Sequence, residues 1–330
     1  MVRLKPDTTG KMAARTTRAS APDRKDVAII GELNVDLILS GCSRLPQFGA
    51  EMTVDGFAMT LGSASAICAV GLARLGRRVA FVGKAGVDPW GDYCVQVLQS
   101  AGVDTTWIQR DPDVQTGVTV ALVGARDRAL ITYPGATEAL SAADLPDTLG
   151  VGRRHLHVSS FFLQSSMRNS WRGVFERVRQ AGWSVSLDPG CDPSGVWASD
   201  LRELLPLVHV LLPNELELTS IAGDQNVENA LRALHTDRTT VVAKIGAAGA
   251  IALEGDRVVR VVPPSMAGID TTGAGDSFNA GFLDAWLDGQ PLRSCMRAGV
   301  ACGSLSTRAL GGTTAQPTSD ELAECLEGAW

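Results

Sequence analysis

Asp270-Thr-Thr-Gly-Ala-Gly-Asp276-Ser-Phe-Asn-Ala-Gly-Phe282 is the stretch on which the reading of this chain turns. Gly273 and Gly275 let the backbone turn tightly with N–H groups exposed, and residues 277–287 continue as an apolar helix rich in small residues. A glycine turn that opens a helix gathers unpaired amides at the positive end of the helix dipole, which makes an anion site. Asp276 sits inside it. A lone carboxylate at a helix N-terminus is ordinarily a cap. Beside glycine amides and free of bulky neighbours, it suits taking the proton from a hydroxyl that attacks phosphorus. The loop is not a Walker A sequence, because no Lys follows the glycines. Nor does a G-x-G-x-x-G follow the first strand, where only Gly31 stands, so a dinucleotide site has little support.

Outward from this loop, strand and helix signals alternate. Residues 27–31 form a short apolar run of the kind that lies buried on both faces of a sheet. A helix is expected over 64–75, ended by Gly76, then a strand over 79–82 and a helix over 90–100 ended by Gly102. Further buried strands are expected at 156–159, 184–187, 208–212 and 239–244, separated by helices at 169–180, 215–221 and 226–235. Such alternation predicts an α/β fold with a mostly parallel central sheet and helices on both faces. Two segments break the rhythm. Residues 37–60 alternate apolar and polar positions, and residues 116–133 read as a hairpin around 125–127. Both are expected to leave the main sheet as a small β-sheet lid that closes a ligand site against water.

Of 330 residues, 45% are hydrophobic and 20% charged, and no apolar run is long enough to span a bilayer. The net charge of −6 divides unevenly: residues 1–26 carry seven Lys/Arg against three Asp, leaving −10 for the rest. An acidic body argues against nucleic acid as partner. The basic head has no apolar h-region and reads as a disordered leader, with a transit-like peptide or a later start as alternatives. Seven cysteines without a C-x-x-C fit reduced thiols in a cytoplasmic protein. Four histidines give no zinc spacing, and His155 and His157 suit a strand core.

With these residues in view, the chain resembles the ribokinase-like (PfkB-type) carbohydrate kinases over about residues 27–330, and 270–282 matches their C-terminal signature. The resemblance implies the three-layer ribokinase-like fold, ATP and Mg2+ as cofactors, Asp276 as catalytic base, and an anion hole from Gly273, Ala274 and Gly275. It implies that Asn34 and Asp36, in Gly31-Glu-Leu-Asn-Val-Asp36, bind sugar hydroxyls. Asn214-Glu-Leu-Glu217 fits the N-x-x-E motif associated with magnesium and phosphate, Glu217 acting through water. Lys244-Ile-Gly246-Ala-Ala-Gly249 resembles the nucleotide turn, Lys244 complementing a phosphate, and Asn279 is placed along the adenine side. Asp270 and Thr272 match positions near the family's monovalent cation site, where K+ is an open expectation.

The departures bear on substrate. Gly62-Ser63-Ala-Ser-Ala-Ile67 resembles the N-terminal Gly-Gly…Asn motif, but Ser63 replaces the second glycine and Ile67 the substrate-facing Asn. Ile67 can neither donate nor accept a hydrogen bond, so either fewer hydroxyls are read at that corner or the substrate presents an apolar face. The segment 187–193 lacks the Arg of the corresponding family pattern, which argues against a strongly anionic sugar acid. Arg126 and Arg128, near the lid turn, read as solvated, with a sugar-phosphate contact as the alternative. The expected activity is transfer of the ATP γ-phosphoryl to a hydroxymethyl group of a small sugar. The alternatives are an adenosine-like nucleoside kinase, with Ile67, Phe161 and Phe162 facing the base, and a non-catalytic sugar sensor. A homodimer through the lid is the expected assembly, with no nucleic acid or membrane partner.

Overall fold

Val27–Ile30 (β1) shows why the sheet forms where it does. All four of its residues are fully buried, and alternate side chains enter opposite layers: Val27 and Ile29 one core, Ala28 and Ile30 the other. The computed structural model describes residues 27–124, 128–151, 155–197, 200–266 and 268–328. The expected leader over 1–26 and the turn 125–127, with Arg126, lie outside the described residues.

After β1 the strands are β2 (Asn34–Ser40), β3 (Gly56–Leu61), β4 (Val79–Gly86), β5 (Asp104–Asp111), β6 (Gly117–Val123), β7 (Arg128–Tyr133) and β8 (His155–Val158). They continue with β9 (Ser184–Leu187), β10 (Val210–Leu211), β11 (Thr240–Lys244), β12 (Ala250–Glu254) and β13 (Arg257–Val261). The helices are α1 (Ala64–Arg74), α2 (Pro89–Ser100), α3 (Ala136–Ala139), α4 (Trp171–Gln180) and α5 (Asp200–Leu204). Then come α6 (Glu215–Ala222), α7 (Val227–Leu234), α8 (Ala274–Leu287), α9 (Leu292–Ser306) and α10 (Ser319–Gly328).

Nine strands form the main sheet in the order β13-β12-β11-β10-β9-β8-β1-β4-β5. Its pairs are parallel from β11 to β5, and only β11–β12 and β12–β13 are antiparallel. One layer packs α1 and α8 through Leu72 and Phe282 against Ile29 and Phe81; the other packs α4 through Trp171 and Phe175 against Ile30. The fold is the α/β sandwich that the alternation implied, with the antiparallel β12–β13 hairpin added at one edge.

The lid is a separate four-stranded sheet, β3-β2-β6-β7. Its first strand begins at Asn34, three residues before the expected lid segment, because Asn34 pairs with Gly117 and Asp36 with Thr119 in the β2–β6 ladder. Both residues expected to bind sugar are therefore lid residues. The helix expected from 169 begins instead as a 3-10 turn over Ser165–Ser170 and becomes α-helical at Trp171.

His155 and His157 are fully buried, as a strand core requires. His155 is bonded to Ser184 and Ser186 at 2.8 and 2.7 Å, and His157 to Ser186 and Ser159 at 2.7 and 2.8 Å. This polar seam between β8 and β9 satisfies every ring nitrogen inside the apolar layer.

Candidate active site

In open α/β sheets, ligand sites gather where parallel strands end at their carboxyl side. Here β1 leads into Glu32, β8 into Ser160, β9 into Asp188, and β11 ends on Lys244. The N-terminus of α8 lies against them: a Cβ built on Gly275 would lie 3.7 Å from Lys244 Nζ. Gly273 caps α8 with φ +70, a conformation that favours glycine.

A cavity of about 210 Å³ lies between this edge and the lid, lined by Asn34, Asp36, Thr119, Arg128, Leu130 and Thr132 on the lid side. Glu32, Ser63, Ile67, Thr272, Gly273 and Asp276 face them from the main domain. Asp276 and Asp36 thus look into one chamber. The amide of Ala274, expected in the anion hole, donates to Thr271 O at 3.2 Å. The backbone N–H groups of Gly273, Gly275 and Asp276 make no hydrogen bond among the described residues, so the open donors are these three.

Asn34 Nδ2 donates to Asp36 Oδ1 at 3.0 Å and to Thr119 Oγ1 at 3.4 Å, and Thr119 is bonded to Thr132 at 3.1 Å. Gly62 makes room for this cluster, since a Cβ there would collide with the side chains of both Asp36 and Asn34. Ser63 holds φ +71, which explains why glycine suits that position. Its hydroxyl donates to Glu32 O at 2.5 Å and accepts from Ala66 N at 2.9 Å, so Ser63 caps α1 with its only proton committed. Ile67 is buried against the anion loop, 3.1 Å from where a Cβ on Gly273 would lie.

Burial pushes the Asp276 carboxyl up to about 7, reinforced by the Asp188 carboxylate and opposed by the Lys244 ammonium. Burial likewise pushes Asp36 up to about 6, against the hydrogen bond from Asn34. Glu217 is buried, accepts from Asn214 N and Nδ2 at 2.8 and 2.7 Å in a capping box, and is pushed up to about 7 by burial and then by Asp188. Lys244 Nζ donates to Asp188 Oδ2 at 2.6 Å and to Asn279 Oδ1 at 3.3 Å. Asn279, expected along the adenine side, is fully buried and also donates to Asp188. Gly246 and Gly249 flank a 3-10 turn directly after Lys244, both at positive φ.

Three residues take contacts that the sequence reading did not give them. Glu32 and Asp188 each follow the end of a buried strand, and an acidic residue in that place was the available signal. Glu32 accepts from Ser65 Oγ at 2.6 Å and Ser160 Oγ at 2.8 Å while lining the cavity. Arg128, read as solvated, instead reaches across from the lid to Thr272 Oγ1 at 3.0 Å. Phe161 and Phe162, offered as a base platform, are core residues packed on Trp171 and Trp197, with Leu163 beside them reaching the cavity.

The donor set tests the implied ions. A divalent cation that arrives with phosphates needs only one or two protein carboxylates. Glu217, whose charged form is disfavoured by burial, fits such a neighbour, and no group of three or more ligands occurs among the described residues. The two side chains expected near a monovalent cation are already engaged by protein donors. Asp270 Oδ1 accepts from Thr272 N and Oγ1, Oδ2 accepts from Gly311 N, and the Arg128 guanidinium occupies the approach to the Thr272 hydroxyl.

A carboxyl and an amide-lined loop at the end of a parallel sheet, facing a lidded polar chamber, define a small-molecule kinase architecture. Residues 24–319 match the model of the pfkB family carbohydrate kinases, and the chain belongs to that family. It is 30% identical over 316 residues to the fructokinase of Klebsiella pneumoniae, covering 90% of this chain and 98% of that one. It is also 30% identical over 301 residues to the 2-dehydro-3-deoxygluconokinase of Bacillus subtilis (strain 168), covering 85% and 90%. The fructokinase of Vibrio cholerae O395, solved with fructose, ADP and a calcium ion, superposes with a TM-score of 0.76 at 28% identity, covering 91% of this chain and 98% of that one. No helix among the described residues is long and apolar enough to cross a membrane.

Proposed function

We propose that the chain transfers the γ-phosphoryl group of ATP to a hydroxyl, of the hydroxymethyl type, on a small neutral sugar. The observation that carries this reading is the shared chamber: Asp276 opens into the same cavity as Asn34 and Asp36, beside three unpaired amides. Asn34 and Asp36 orient the sugar. Asp276 accepts the hydroxyl proton as the new O–P bond forms, and its raised pKa near 7 suits a base that must release that proton again. The amides of Gly273, Gly275 and Asp276 stabilise the equatorial oxygens, and Lys244 adds a positive charge behind them. Positioning and charge stabilisation thus do most of the work.

Asn214, Gly246 and Gly249 flank the nucleotide side, at the ends of β10 and β11. Mg2+, when bound with ATP, supplies further neutralisation of the phosphates, with Glu217 holding its water shell. Three carboxylates line the sugar chamber, which disfavours an anionic sugar and agrees with the missing Arg in 187–193.

An ATP-coupled panel of free sugars, sugar phosphates, sugar acids and nucleosides, followed by ADP release, tests the proposal. A free sugar is expected to turn over, and Asp276→Asn to lower kcat by several orders of magnitude with ATP binding near normal. Nucleoside turnover alone would select the nucleoside kinase. Ligand-induced stabilisation without ADP release would select the sensor.

A further inference from the structure

Two outer strands of the lid touch two loops of the main domain, and one carboxylate joins those loops. On one side, Arg128, at the start of β7, donates from Nη1 to Thr272 Oγ1 at 3.0 Å. On the other, Thr60 of β3 lies against Gly311, where an added Cβ would fall 2.6 Å from its methyl group. Asp270 ties the loops together: Oδ1 accepts from Thr272 N and Oγ1 at 2.9 and 2.8 Å, and Oδ2 from Gly311 N at 2.8 Å. The same two loops stack back to back at Gly273 and Gly312, where an added Cβ on Gly273 would lie 2.6 Å from the Gly312 Cα. The seating of β3 and β7 therefore bears on the backbone that carries the open amides.

We propose that Arg128 is a positioning residue, a latch through Thr272 and Asp270 that makes the order of the Gly273–Asp276 loop depend on closure of the lid. Its strength suits a latch. A hydrogen bond from an exposed guanidinium to a neutral hydroxyl gains little against water. A ligand filling the chamber expels that water and strengthens the same bond, in a cavity whose other charged walls, Glu32, Asp36 and Asp276, are acidic. Phosphoryl transfer then waits for the sugar, which keeps the γ-phosphoryl from water until an acceptor is in place. The inference concerns the kinase reading above and adds to it a device for coupling.

Amide hydrogen exchange on the substrate-free chain reads the latch without any turnover. Arg128→Met is expected to speed exchange both in 128–133 and in 270–276, Arg128→Lys to restore part of the protection, and Arg128→Met/Thr272→Val to be no faster than the worse single variant. Faster exchange confined to β7, or additive effects of the two substitutions, would overturn the latch whether or not a sugar substrate is known. With a sugar that turns over, Arg128→Met should lower kcat about tenfold with the sugar KM within about twofold, as expected for a misplaced loop. A raised sugar KM at unchanged kcat would make Arg128 a substrate contact and would likewise overturn the proposal.

Discussion

Lys244 Nζ lies 2.6 Å from Asp188 Oδ2, with the two side chains only 13% and 6% exposed, so a positive charge beside the anion loop is itself held by a buried carboxylate. Each partner moves Asp276 in an opposite direction: Asp188 raises its pKa and Lys244 lowers it. Activity that needs the Asp276 carboxylate rises as pH passes through about 7. Lys244→Met should shift that limb of the kcat/KM profile to higher pH, and Asp188→Asn to lower pH. Either change breaks a buried pair and should cost roughly 3–5 kcal/mol of stability in denaturant titrations. Limbs that stay in place in both variants would separate the pair from the base.

Ile67 bears on what the chamber accepts. Its side chain is 3% exposed and packs on Gly273, close to the reacting end of the site. An apolar wall there leaves a substrate hydroxyl without a partner, at a cost of the size that separates close analogues in hydrophobic pockets. Ile67→Asn should raise kcat/KM for a hydroxylated sugar relative to its deoxy counterpart, such as ribose against 2-deoxyribose, by about tenfold. The same change should destabilise the fold by about 3 kcal/mol, because it buries an amide in an apolar contact. An unchanged preference ratio would remove Ile67 from the specificity wall.

The β8–β9 seam makes a different kind of statement, about acid stability. His157 is fully buried, and burial lowers its pKa from 6.5 to about 4, against the pull of the Asp188 carboxylate. The folded chain therefore binds this proton more weakly than the unfolded chain. Its contribution is complete above about pH 6.5 and is lost progressively as pH falls toward 4. A shift of this size corresponds to about 3 kcal/mol. The thermal midpoint should fall over that window, and His157→Asn should start lower at neutral pH but show a flatter profile. Parallel profiles for the two proteins would rule out His157 as the acid-sensitive group.

How far these features were legible depends on whether their signal was local. The loop 270–282, the strands 27–31 and 184–187 and the helix after Gly62 are written in consecutive residues, and each appears within a few positions of its expected place. The lid was legible as a break in rhythm, but its register was not, so Asn34 and Asp36 were expected beside the lid rather than on it. Long-range geometry was invisible. Nothing near Arg128 in sequence announces Thr272, 144 residues away, and nothing near Asp188 announces Lys244. The open amide of Asp276 and the engaged one of Ala274 likewise depend on the turn at Thr271, which composition does not specify.

The outer face of the lid supplies the last expectation. Toward the chamber, one row across the sheet is polar: Thr60, Asp36, Thr119 and Thr132 pair in register. The adjacent row, facing away, is Met59, Leu37, Val120 and Ile131, and the next is Phe57, Leu39, Leu122 and Ala129. Phe57 is 67% exposed and Ile131 60% exposed on the two outer strands, with Leu122 buried between them, and large apolar side chains exposed on one face ordinarily mark an interface. A second lid presenting the same rows is a self-complementary partner, and an isologous pairing would cover both copies at once. Sedimentation at micromolar concentration should therefore show a dimer, and Ile131→Lys should dissociate it by placing a charge in each copy of the buried row. The folded monomer of that variant should keep its near-ultraviolet circular dichroism, since Ile131 is exposed within the single chain. A wild-type chain that sediments as a monomer at those concentrations would leave the apolar rows without this partner.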